Sequence, residues 1–99
     1  MIVFVEGKKY TIKEPSPATL KKYGLELNEW KEILAQQGYR CPICLGVLDK
    51  TTNIEHFHVR HWKKMSPDKR KLYIRGVTDW YCNKNYLSRG ITIEKARRL

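Results

Sequence analysis

Residues 41–58 begin with Cys41-Pro42-Ile43-Cys44 and end with Ile54-Glu55-His56-Phe57-His58. Two cysteines separated by two residues can both reach one ion, and thiolates bind zinc well. The same spacing also serves redox pairs, but these normally open a helix within a thioredoxin-like βαβ pattern, which this chain lacks. A knuckle over residues 39–48 is therefore expected, with Gly46 just beyond its second cysteine. A knuckle supplies half of a tetrahedral site. The other half is sought in Asp79-Trp80-Tyr81-Cys82, which repeats the spacing with a carboxylate in first position. Carboxylate oxygen is an acceptable zinc ligand. Cys41, Cys44, Asp79 and Cys82 would then form a structural Zn²⁺ site, with His61, in the loop between, as the competing fourth ligand.

Glu55, His56 and His58 bring a carboxylate and two imidazoles within four residues. Such groups can serve metal-assisted hydrolysis, for example of a phosphodiester. Histidine, with an unperturbed pKa of about 6.5, can deprotonate water near neutrality. A hard carboxylate oxygen suits a divalent cation that neutralises charge on the phosphorane. His58 lies two residues beyond His56 and shares its face on a strand, where it should touch the phosphate or help the metal site, whereas a regular strand turns Glu55 the other way. Joint use of Glu55 and His56 therefore requires Glu55 at a strand end or turn. The alternative is that His56 and His58 complete a Cys/His zinc module without catalysis, with Asn83 merely a helix cap.

Outward from this stretch, Ile2–Val5 and Tyr10–Ile12 flank Glu6-Gly7-Lys8 and predict a β-hairpin. Ser16-Pro17 and Gly24 bracket a helix over 17–23. Asn28 is expected to cap a helix over 29–37, ended by Gly38, with Leu27, Trp30, Ile33 and Leu34 on its buried face. Thr52–Val59 and Leu72–Thr78 are expected as strands, joined by a basic loop with room for a short helix. Residues 82–88 and 93–99 are expected to be helical. Phe57, Trp62, Trp80 and Tyr81 are read as core. The fold class is α+β, a single domain over 1–99: N-terminal hairpin and helices at 1–37, knuckle and catalytic core at 38–90, and a C-terminal helix at 91–99.

With 41% hydrophobic and 11% aromatic residues the chain is expected to be globular, although 99 residues give a thin core that a structural metal would help. No apolar run approaches a membrane span, and the first residues do not read as a signal peptide, so a cytoplasmic protein is expected. Three cysteines fit poorly with a disulfide framework. The net charge of +10 is uneven. Residues 1–53 carry eight Lys/Arg against six Asp/Glu; residues 54–99 carry twelve against four. Such asymmetry favours a phosphate-binding footprint, and no amphipathic basic helix points instead to a membrane. The expected DNA contacts are Arg60, Lys63, Lys64, Lys69, Arg70, Lys71 and Arg75, the seven cations of residues 60–75, where Asp68 is the one acid.

Four pieces in order, Cys41-Pro-Ile-Cys44, Glu55-His56-Phe57-His58, Arg75-Gly76 and Cys82-Asn83, resemble the recombination-endonuclease-VII branch of the HNH (ββα-metal) nucleases over about residues 38–90. The resemblance implies a DNA endonuclease with His56 as general base and with Glu55 and Asn83 holding one Mg²⁺ or Mn²⁺. It also implies a phage or mobile-element origin, with branched DNA as one candidate substrate and nicking or double-strand cutting as others. Junction-resolving members are dimers with further helices after the catalytic part, a segment expected to be missing here, so monomer and homodimer both stay open. The chain departs from the branch twice. Glu55 stands where aspartate is usual, and Asp79 stands where the branch has cysteine. The runner-up is a non-catalytic, zinc-stabilised DNA-binding module.

Overall fold

The computed structural model describes residues 1–57, 59–79 and 82. Strands β1 (Ile2–Val5) and β2 (Lys8–Thr11) pair antiparallel, Val5 opposite Lys8 across the two-residue turn Glu6-Gly7. Both turn residues have positive φ, the twist that closes a tight hairpin. Helix α1 (Pro17–Tyr23) forms as its caps require. The Ser16 hydroxyl accepts from the Thr19 N–H at 3.2 Å, Pro17 opens the first turn, and Gly24 closes the last at φ 68°. Gly24 serves a second purpose, since a Cβ there would lie 2.3 Å from the Pro67 carbonyl oxygen. Its absence lets α1 pack against α3 (Pro67–Lys71).

Helix α2 spans Leu27–Gln36 and starts earlier than Asn28 suggested. The cap is Glu26, whose backbone N–H donates to the Glu29 carboxylate at 3.1 Å; Asn28 lies within the first turn. Trp30 and Leu34 are fully buried, and Leu27 and Ile33 pack beside them. The core joins these to Val3, Ile12, Ile43, Leu48 and Val77, and takes in Cys41 and Cys82.

Strands β3 (Thr52–His56) and β4 (Ile74–Asp79) form a second antiparallel hairpin. The chain is thus α+β with two separate two-stranded sheets among the described residues. β3 is shorter than expected because the register breaks after Glu55. Glu55 faces Gly76, but His56 faces Ile74, leaving Arg75 as the extra residue of a bulge. Among the described residues, the connection between β3 and β4 holds a 3-10 turn (Trp62–Lys64) and then α3, in keeping with a loop that has room for a short helix.

Gln37 ties α2 to β4. Its amide oxygen accepts from the Val77 N–H, and its amide nitrogen donates to the Val77 carbonyl, both at 2.8 Å. A Cβ at Gly76 would sit 2.7 Å from that amide oxygen, so Gly76 makes room for the clamp. The expected helices over 82–88 and 93–99 lie outside the described residues, apart from Cys82. No helix among the described residues is long and apolar enough to cross a membrane.

Candidate metal centre and adjoining groove

The knuckle is a turn held by its own backbone. The Cys41 N–H donates to the Gly46 carbonyl at 2.8 Å, the Leu45 N–H donates to the Cys41 carbonyl at 2.9 Å, and the Gly46 N–H donates to Cys44 Sγ at 3.4 Å. β4 delivers Asp79 from the opposite side. Asp79 Oδ2 accepts from Cys44 Sγ at 3.1 Å, and Oδ1 from the Cys82 N–H at 2.7 Å. The ligand atoms of Cys41, Cys44, Asp79 and Cys82 all lie within 4.8 Å of one another. Three sulfurs and one carboxylate oxygen, so gathered, fit a structural metal such as zinc. His61 is not among them. It is exposed, holds a left-handed conformation, and opens the 3-10 turn.

The charges of this cluster match a metal's role. Burial, together with hydrogen bonding to Asp79, raises the Cys44 thiol pKa; burial and the neighbouring Cys41 raise that of Cys82. Burial also opposes ionisation of Asp79, but the Cys82 N–H and the thiol hydrogen bonds outweigh it, and its pKa is lowered. Without metal the favoured state thus keeps Asp79 as a carboxylate and Cys44 and Cys82 as protonated thiols. A cation must displace their protons, so its apparent affinity rises with pH.

Glu55 and His56 meet at the bulged end of β3. Both line a groove of about 480 Å³ whose other wall is Lys13–Ser16 with Thr19 and Tyr23 of α1. This wall is held by backbone pairing of Thr11 and Lys13 with Lys50, each bond 2.8 Å. The His56 ring stacks on buried Trp62, centroids 3.9 Å apart and planes 16° apart, and Tyr23 tilts against both rings. On its other side His56 adjoins a cleft of about 370 Å³ that includes His61, Lys63 and Lys64. Burial and the charge of Glu55 raise the Tyr23 pKa, Arg70 pulling weakly the other way. Asn83 and His58 lie outside the described residues.

The expected DNA cations divide into two groups. Arg60, Lys63, Lys64 and Lys69 are exposed. Arg70 instead turns inward, donating to the carbonyls of Trp62, Lys22 and Lys63 and lying 4.8 Å over the Trp62 ring. Lys71 pairs with Glu29. Arg75, half-buried with its side chain largely covered, pairs with buried Glu55 at 2.5 Å, its guanidinium 4.9 Å over the Phe57 ring. Of the seven cations expected to contact DNA, Arg70, Lys71 and Arg75 thus have partners within the fold, and the other four are exposed. The core reading holds for Trp62, which is 6% exposed, but not for Phe57, at 49%; Trp80 and Tyr81 lie outside the described residues. Sequence reasoning also missed Gln37 and Tyr23 as parts of this region.

Arg75→Ala should cost about 3–5 kcal/mol of stability, because it removes the guanidinium that pairs with the buried Glu55 carboxylate. Pairing it with Glu55→Gln should recover much of that loss. Denaturant titration of the single and double variants checks both statements, and a single variant as stable as wild type would show that the pair does not hold the bulge.

Comparison of the chain with protein-family models, with curated proteins and with solved structures finds no match.

Proposed function

We propose that this chain is a DNA endonuclease of the HNH (ββα-metal) class, with a zinc-stabilised knuckle beside its reactive groove. The observation that supports this most is that Glu55 and His56, at the end of β3, both line one groove. In this reading His56 takes a proton from the attacking water. A new P–O bond forms, the P–O bond to the leaving oxygen breaks, and that oxygen takes a proton from solvent. Glu55 and Asn83 would hold a Mg²⁺ or Mn²⁺ ion, which when bound neutralises charge on the phosphorane. Glu55 offers the hard oxygen such an ion needs, with one carboxylate oxygen already shared with Arg75. The test is cleavage of labelled duplex, single-stranded and four-way-junction DNA by the purified protein with and without Mg²⁺. Absence of Mg²⁺-dependent cleavage on all three overturns the reading.

A second reading, a zinc-stabilised DNA-binding module without catalysis, draws on the same geometry. The Glu55–Arg75 pair and the His56–Trp62 stack are also what purely structural residues would make. DNA binding without cleavage would favour it.

Both readings place DNA against Arg60, Lys63, Lys64 and Lys69. Each phosphate contact steepens the fall of log affinity with log salt by about 0.9 on duplex DNA. Neutralising these four together should flatten the measured slope by about 3.6 units if each contacts a phosphate, and weaken all sequences alike. An unchanged slope would mean that this surface is merely solvated.

A further inference from the structure

The groove before Glu55 and His56 has a wall that lies outside the Glu-His-x-His motif. Tyr23, on the last turn of α1, is its innermost aromatic group: half-buried, with its ring packed on His56 at 5.8 Å and on Trp62 at 5.4 Å. Its hydroxyl makes no hydrogen bond with the described residues and is not among the polar atoms sealed from solvent, so it can meet a ligand in the groove. A phenol carries its proton throughout the neutral range and can donate it to an acceptor. The wall also carries exposed Lys13 and the hydroxyls of Ser16 and Thr19. The two carboxylates in the groove are both countered, Glu55 by Arg75 and Glu14 by the Met1 amino group at 3.9 Å. At about 480 Å³ the space suits a nucleotide-sized ligand, not a duplex.

We propose that the Tyr23 hydroxyl donates a hydrogen bond to a non-bridging phosphate oxygen of the nucleic-acid strand that enters this groove, making α1 part of the substrate site. The inference rests on the nuclease reading of Glu55 and His56, and it adds a contact that their motif does not contain. Tyr23→Phe removes the oxygen and keeps the ring packed on His56 and Trp62.

Two measurements separate this proposal from that reading. The first is kcat and KM for DNA cleavage by wild type and Tyr23→Phe. The second is affinity for a fluorescent oligo(dT) hexamer, measured in a His56→Ala background with and without Tyr23→Phe. The expected result is a loss of about ten- to hundredfold in kcat/KM, the size of one hydrogen bond to a charged oxygen, with weaker hexamer binding and an unchanged melting temperature. If the wild type does not cleave, the nuclease reading falls and hexamer affinity alone decides, with weaker binding by the Tyr23→Phe protein still supporting the contact. Equal affinities, including no affinity in either protein, overturn the proposal, as does unchanged cleavage by an active Tyr23→Phe enzyme.

Discussion

If the proposed nuclease reading of the groove holds, a His56→Ala protein is expected to cleave DNA about 10²–10⁴-fold more slowly than wild type, the usual loss when a general base is removed. The structure adds a condition to this experiment. His56 is stacked on Trp62, so truncation also removes an aromatic contact worth about 0.5–1.5 kcal/mol. Rates should therefore be compared well below the melting temperature of both proteins, with circular dichroism confirming that each is folded. DNA affinity should change little, because the exposed cations of residues 60–69 do not depend on the imidazole. Partial recovery of the variant by added imidazole would mark the lost group as a proton acceptor. A variant within a few-fold of wild type would show that the base lies elsewhere and would shift attention to His58.

Removal of the structural metal should have the largest effect on the fold. Structural zinc contributes on the order of 10 kcal/mol in small zinc domains, comparable to the whole stability of an ordinary domain. Here Cys41 and Cys82 are also core residues, packed with Trp30, Leu34 and Val77. Without the ion, the hydrophobic centre must accommodate thiols and a carboxylate that no cation draws together. The protein as purified should contain about one zinc per chain by elemental analysis. Treatment with a strong chelator, or Cys41→Ser, should abolish the cooperative melting transition. Cys44→Ser should weaken binding with less direct damage to packing, since Cys44 is exposed. A metal-free protein with unchanged melting would remove zinc from the account.

The features legible in the sequence were those set by neighbours along the chain. Ser16, Pro17 and Gly24 bracket α1 because capping acts over a single turn. The two half-knuckles were legible because ligand spacing is local, and the four ligand atoms do converge. The fate of the arginines was not legible. Arg70 and Arg75 sit in the same basic run as Lys63, Lys64 and Lys69, and only the tertiary fold decides which guanidinium meets a carbonyl or a buried carboxylate. The start of α2 was misplaced for a nearer reason: the Glu26–Glu29 capping interaction prevailed over Asn28, a residue type equally able to cap. The place of Glu55 could be posed only as a requirement for a strand end or turn. Glu55 instead lies within β3, one residue from its end, and the groove takes in every residue from Thr51 to His56.

The separation of the two half-sites has a further consequence. Cys44 and Asp79 meet across 35 positions, and the entire β3–β4 hairpin lies within the loop they close. A metal spanning them acts on the unfolded chain much as a covalent cross-link would, denying it the many conformations in which the two halves lie apart. By the chain-entropy relation for cross-links, a loop of this length is worth about 4 kcal/mol. That contribution corresponds to no contact in the folded protein. It reaches Glu55 and His56 because both ride on the tethered loop.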